Sequence, residues 1–123
     1  MVSSIPHPIE DTWLPFKAEL ADEHAPAMAL KKMQLVLGAT TYAVYFGAEK
    51  TDAGSYQLGA TAEHQTITLA STDGANAGRT IPSIYQLTGD RLRICFGLDG
   101  VAPVAFLSAA GSAHYLVSYR RKP

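Results

Sequence analysis

Residues 83–96 read S-I-Y-Q-L-T-G-D-R-L-R-I-C-F, two runs rich in β-branched and aromatic residues on either side of the pair Gly89-Asp90. Strands favour such residues, and a glycine in a two-residue connection supplies the positive φ that primed hairpin turns require. The stretch therefore predicts an antiparallel hairpin. Working outward, the chain breaks into further short runs with period-two alternation, separated by clusters of Gly, Asn, Asp and Ser, as in sandwiches and barrels. In residues 41–46 Tyr42, Val44 and Phe46 share one face, with Thr41, Ala43 and Tyr45 on the other. In residues 65–69 Ile67 and Leu69 lie opposite Thr66 and Thr68, the pattern of a strand with one wet face. Other strands are expected at residues 12–19, 33–37, 54–58, 82–87, 91–96, 103–107 and 114–120. The fold class this predicts is all-β, a small antiparallel barrel of about eight to nine strands with one short helix. That helix is expected over residues 26–33, where Pro26 suits a first turn and the flanking acids Asp22 and Glu23 and bases Lys31 and Lys32 suit the helix dipole.

The domain is expected to span residues 11–121. Residues 1–10 are expected to form an extended lead-in, since Pro6 and Pro8 deny backbone donors. A chain of 123 residues buries roughly two thirds of its unfolded surface on folding and can hold a core unaided. A formal charge of −1 creates no field to gather nucleic acid or anionic lipid, and no segment is long and apolar enough to span a bilayer as a helix. Nucleic-acid and membrane partners are therefore not expected. The single cysteine, Cys95, rules out an internal disulfide and favours a reducing, cytoplasmic location.

Few residues carry a chemical motif. His7, His24, His64 and His114 are scattered without metal-ligand spacing, so no metal or cofactor is expected. Cys95 falls mid-strand, where it reads as an apolar filler. Residues 73–80, D-G-A-N-A-G-R-T, have the glycines of a phosphate-binding loop. They have Arg79 in place of its lysine, however, and lead into a strand instead of a helix. Ser108 lacks the G-x-S-x-G context of a nucleophile elbow, and no local pair of acids suggests glycosidase geometry. No constellation specifies a reaction.

Alternation does yield a set of barrel-lining positions: Tyr42, Val44, Phe46, Tyr56, Leu58, Tyr85, Leu87 and Phe96. An eight-stranded barrel has room for one small ligand or for packed side chains. The expected function is thus binding of a small hydrophobic or amphipathic molecule. The same residues would equally fill a closed core, and the alternative is a structural or interaction module, with a homodimer as one form.

The segments T-W near the start, G-S-Y-Q-L at residues 54–58, I-Y-Q-L-T-G-D-R-L-R-I-C-F at residues 84–96, the proline-aromatic step from Pro103 to Phe106, and L-V-S-Y-R at residues 116–120 together resemble a lipocalin-like domain family of unknown function, abundant in planctomycetes. The resemblance implies a calycin-type barrel and no established activity. It departs from the family at Asp11, where a glycine is usual, and at Ala102-Pro103, where the family has Arg-Pro. It also implies a structural clasp in which Trp13 on the first strand packs beneath an arginine of the last, here Arg120 or Arg121.

Overall fold

A computed structural model describes residues 7–21, 23–74, 76–108 and 111–123. They form β1 (Asp11–Leu20), β2 (Glu23–His24), α1 (Ala27–Leu30), β3 (Met33–Leu37), β4 (Thr41–Phe46), β5 (Glu49–Ala60), β6 (Gln65–Gly74), β7 (Thr80–Thr88), β8 (Arg91–Gly97) and β9 (His114–Arg121). From β3 to β9 each strand pairs antiparallel with the next, and β1 closes the cylinder by pairing with both β3 and β9. The result is a closed, eight-stranded, up-and-down antiparallel barrel, with β2 as a two-residue hairpin strand off the end of β1. Closure leaves few unpaired strand edges.

The hairpin at residues 83–96 is β7 paired to β8, with Leu87 opposite Leu92 and Thr88 opposite Arg91. Gly89 has φ +57° and Asp90 a negative φ, so only the first turn residue uses the left-handed region.

Closing so small a cylinder requires sharp coiling, which the chain achieves by interrupting its ladders. On β1 the register shifts between Pro15 and Lys17. Proline there has no N–H to give the ladder, and Phe16 turns outward. The interior face accordingly passes from Trp13 and Pro15 to Ala18. On β5 the register with β6 shifts between Ala53 and Gly54. A Cβ at Gly54 would overlap the Ala70 carbonyl oxygen, so glycine alone allows this close approach.

Two expectations are corrected. The helix is a single turn, Ala27–Leu30, because Met33 is already the first residue of β3 and Glu23 belongs to β2. Residues 103–107 form no ladder; they belong to a strap over the outer face of the barrel. Pro103 and Ser108 are buried there, and the Phe106 ring sits 4.1 Å from the Arg93 guanidinium and 5.4 Å, edge-on, from His64. Beneath it, Cys95 is fully buried although it points out of the barrel, its Sγ 3.7 Å from the Leu107 carbonyl oxygen.

Candidate functional site

Antiparallel up-and-down order gives the barrel two unlike ends. One end collects the start of β1, the β3–β4, β5–β6 and β7–β8 turns, and the end of β9. Trp13 lies here at 0% exposure, its indole N–H donating to the Ile9 carbonyl at 2.9 Å. The Arg121 guanidinium stacks on the ring at 4.5 Å. Arg121 also ion-pairs with Asp11 at 3.0 Å and Asp90 at 3.2 Å, and donates to the carbonyls of Pro8 and Gly89. It holds the Asp11 carboxyl below its ordinary range, chiefly through that hydrogen bond. Of the two arginines implied for the clasp, Arg121 makes the contact. Arg120 stands exposed on the other face, opposite Leu14. Above the clasp the barrel is solid: Ile67, Leu92, Ile94 and Val117 are all but completely buried.

Tyr56, Leu58, Tyr85 and Leu87 belong to this packed half. Tyr56 and Tyr85 are buried core members, and the Tyr56 hydroxyl donates to the Gly38 carbonyl; Leu58 and Leu87 pack against the core part-buried. Burial raises both tyrosine hydroxyls above their ordinary value.

The opposite end is not filled. A partly open cavity of about 190 Å³ lies between β3 to β9, walled by Leu35, Tyr42, Val44, Leu69, Ile81 and Phe96, with Tyr115 and Tyr119 facing them. Three of the eight lining positions read from alternation, Tyr42, Val44 and Phe96, are therefore at the cavity. Phe46 is not. It ends β4, past a register shift between Val44 and Tyr45, and at 44% exposure its ring stands at the rim, 5.8 Å from the Lys32 ammonium.

The polar part of this cavity centres on a residue that alternation missed. Asp52 is 8% exposed and faces the cavity. Its Oδ1 accepts from the Ser71 hydroxyl at 2.5 Å, and its Oδ2 accepts from the Tyr42 hydroxyl at 3.1 Å and the Asn76 side-chain amide at 3.3 Å. Burial pushes the Tyr42 hydroxyl up to about 12, the nearby Asp52 adding to the rise and Ser71 opposing it. Tyr42 therefore stays a neutral donor. Asn76 is in turn held by Arg79, which donates to its Oδ1 at 3.5 Å and to the Leu98 carbonyl. The four residues come together because the irregular pairing at Ala53/Gly54 sets Gly54 opposite Ser71 and Tyr42, with Asp52 two residues along on the same face.

The signal for Asp52 was present in the chain. Alternation back from Leu58 runs through Tyr56 and Gly54 to Asp52. Beginning the strand at Gly54 hid it, whereas β5 begins at Glu49. Among the described residues no group of histidine, cysteine and acidic side chains is arranged to hold a metal. No family model, curated protein or solved structure matches the chain.

Proposed function

We propose that this lipocalin-like barrel is a binding protein that takes a small hydrophobic or amphipathic molecule into its open end. The observation that supports the reading is the contrast between the two halves: one packed solid around Trp13, the other leaving about 190 Å³ among aromatic and aliphatic side chains. Protein interiors are ordinarily close-packed, so an apolar space of this size is a departure from the rule. Benzene fills an apolar cavity of about 150 Å³, so the enclosed part of the ligand has on the order of six to ten non-hydrogen atoms. A longer molecule would project from the open side of the cavity, whose lining also includes Thr51, Asn76 and Leu98. Polar groups few in number and gathered at one point of an apolar wall are what orient a ligand in such a site.

The alternative, a closed-core interaction module, draws support from a different surface: Val101, Val104 and Leu107 stand exposed on the outer strap. Native mass spectrometry on protein purified from cells without added ligand separates the two readings. The binding reading expects a reproducible adduct released on denaturation. A bare mass, together with no uptake of toluene or other single-ring probes, would overturn it, and a bare dimer would favour the interaction module.

A further inference from the structure

Resting on that reading, the site's charge narrows the ligand class. The ion pairs among the described residues are Lys17 and His24 with Glu19, and Arg121 with Asp11 and Asp90. None involves Asp52, although it is the one buried acid among the described residues. Three neutral donors satisfy its oxygens without balancing a charge, and a buried carboxylate without a cation carries a large desolvation cost. Arg79, which reaches this cluster through Asn76, bonds that side chain and the Leu98 carbonyl and makes no ion pair with the carboxylate. The rest of the wall brings no anion to compete: burial raises the hydroxyls of Tyr115 and Tyr119 above their ordinary value, as it does that of Tyr42, so all three are neutral. The wall is also rich in π-faces, with Phe96 and Tyr115 stacked at 5.8 Å. Aromatic faces attract cations, most strongly where water is excluded.

We propose that the open end recognises a small amphipathic amine, whose ammonium group bonds the Asp52 carboxylate while its apolar body lies among Tyr42, Leu69, Phe96, Tyr115 and Tyr119. Such a ligand supplies the missing counter-charge. Ser71, Tyr42 and Asn76 then act as positioning residues, holding the carboxylate at the cavity wall while taking three of its roughly four lone-pair sites and leaving one for the ammonium.

The test compares three probes of nearly equal size, toluene, benzyl alcohol and benzylamine, by ¹H–¹⁵N chemical-shift titration of the wild-type protein at neutral pH. Benzylamine is expected to bind about ten-fold or more tightly than benzyl alcohol, the margin of a charge-assisted bond over a neutral one. In Asp52→Asn that preference is expected to vanish, with toluene titrated alongside as the control for whether the cavity survives the substitution. If toluene binds and benzylamine gains nothing over benzyl alcohol, the amine assignment is overturned and the apolar-ligand reading stands. If none of the three binds, both fall together. The wild-type comparison needs no variant, so a poorly folding Asp52→Asn protein would not protect the proposal.

Discussion

Trp13→Ala tests whether the packed end holds the barrel together. The indole is completely buried, so the substitution forfeits its whole transfer free energy and leaves a void that neighbours on β1, β3 and β9 fill only in part. Tryptophan-to-alanine changes in cores cost about 3 to 5 kcal/mol. The indole N–H bond to Ile9, worth about 1 kcal/mol net, and the Arg121 stacking, worth about 0.5 to 2 kcal/mol, lie inside that figure. A domain of this size is stable by about 5 to 15 kcal/mol, so the variant still folds but with a large share of its margin gone. The assay is urea unfolding followed by far-ultraviolet circular dichroism, because removing the only tryptophan also removes its fluorescence. With a slope of about 1.5 kcal/mol per molar urea, the midpoint should fall by about 2 to 3 M at unchanged slope. A fall below about 0.5 M would refute the reasoning, since the end of the barrel would then be held by something other than the indole.

Arg121→Met should destabilise the protein more at pH 7 than in strong acid, because the Asp11 part of the effect is lost on protonation while the Trp13 stacking and the bonds to the Pro8 and Gly89 carbonyls are kept. Arg121 lowers the folded-state pKa of Asp11 from its ordinary 3.8, so that part of the stabilisation is full above the unfolded value and disappears as pH falls through the folded one. Equal wild-type and variant differences in urea midpoint at the two pH values would contradict it. Gly54→Ala forces a Cβ into the Ala70 backbone and should cost about 1 to 3 kcal/mol, whereas Gly59→Ala meets only the rotatable Thr66 hydroxyl and should cost less; thermal unfolding of the pair checks the order. Cys95 should resist thiol reagents in the native protein, because it is covered by the strap and burial pushes its thiol up, with Leu107 and Arg93 opposing. Phe106→Ala, which removes the contacts to Arg93 and His64, should speed its labelling about ten-fold, the equivalent of about 1.4 kcal/mol; an unchanged rate would mean that the strap is anchored elsewhere.

What could be read in the sequence follows from how local its cause is. Strands β3 and β4 have the bounds expected from period two alone, and the Gly89-Asp90 turn connects β7 to β8 because glycine supplies the one positive φ that the turn needs. The irregular positions were hidden, because they answer to cylinder closure and not to neighbours in the chain. The Pro15/Lys17 shift reverses which residues of β1 face inward, and no alternation rule anticipates it. The strap has a strand-like composition, yet its partners are side chains on the outside of β8 and His64 in the β5–β6 turn, far away in sequence. The site was half legible for the same reason. Its apolar wall follows period two and supplied Tyr42, Val44 and Phe96, while its polar centre lies where β5 is irregularly paired, on residues ahead of Gly54, the expected start of that strand.

The two ends of the barrel handle charge in opposite ways, and the difference bears on function. At the packed end Arg121 answers both Asp11 and Asp90 at the rim, where the carboxylates keep partial contact with water and little desolvation is at stake. At the open end Asp52 is drawn inside, beneath Tyr42 and Ser71, where water screens a carboxylate less and, among the described residues, no ion pair answers it. An interior built for stability alone would place an apolar side chain at that position, since Gly54 already admits the close strand approach and Leu69 and Ile81 already supply apolar neighbours. The chain instead keeps a hydrogen-bonded carboxylate facing an unfilled space. Stability given up at a site whose polar groups are held in fixed positions is what the proposed binding function calls for, and it sets the open half apart from the half packed around the buried Trp13.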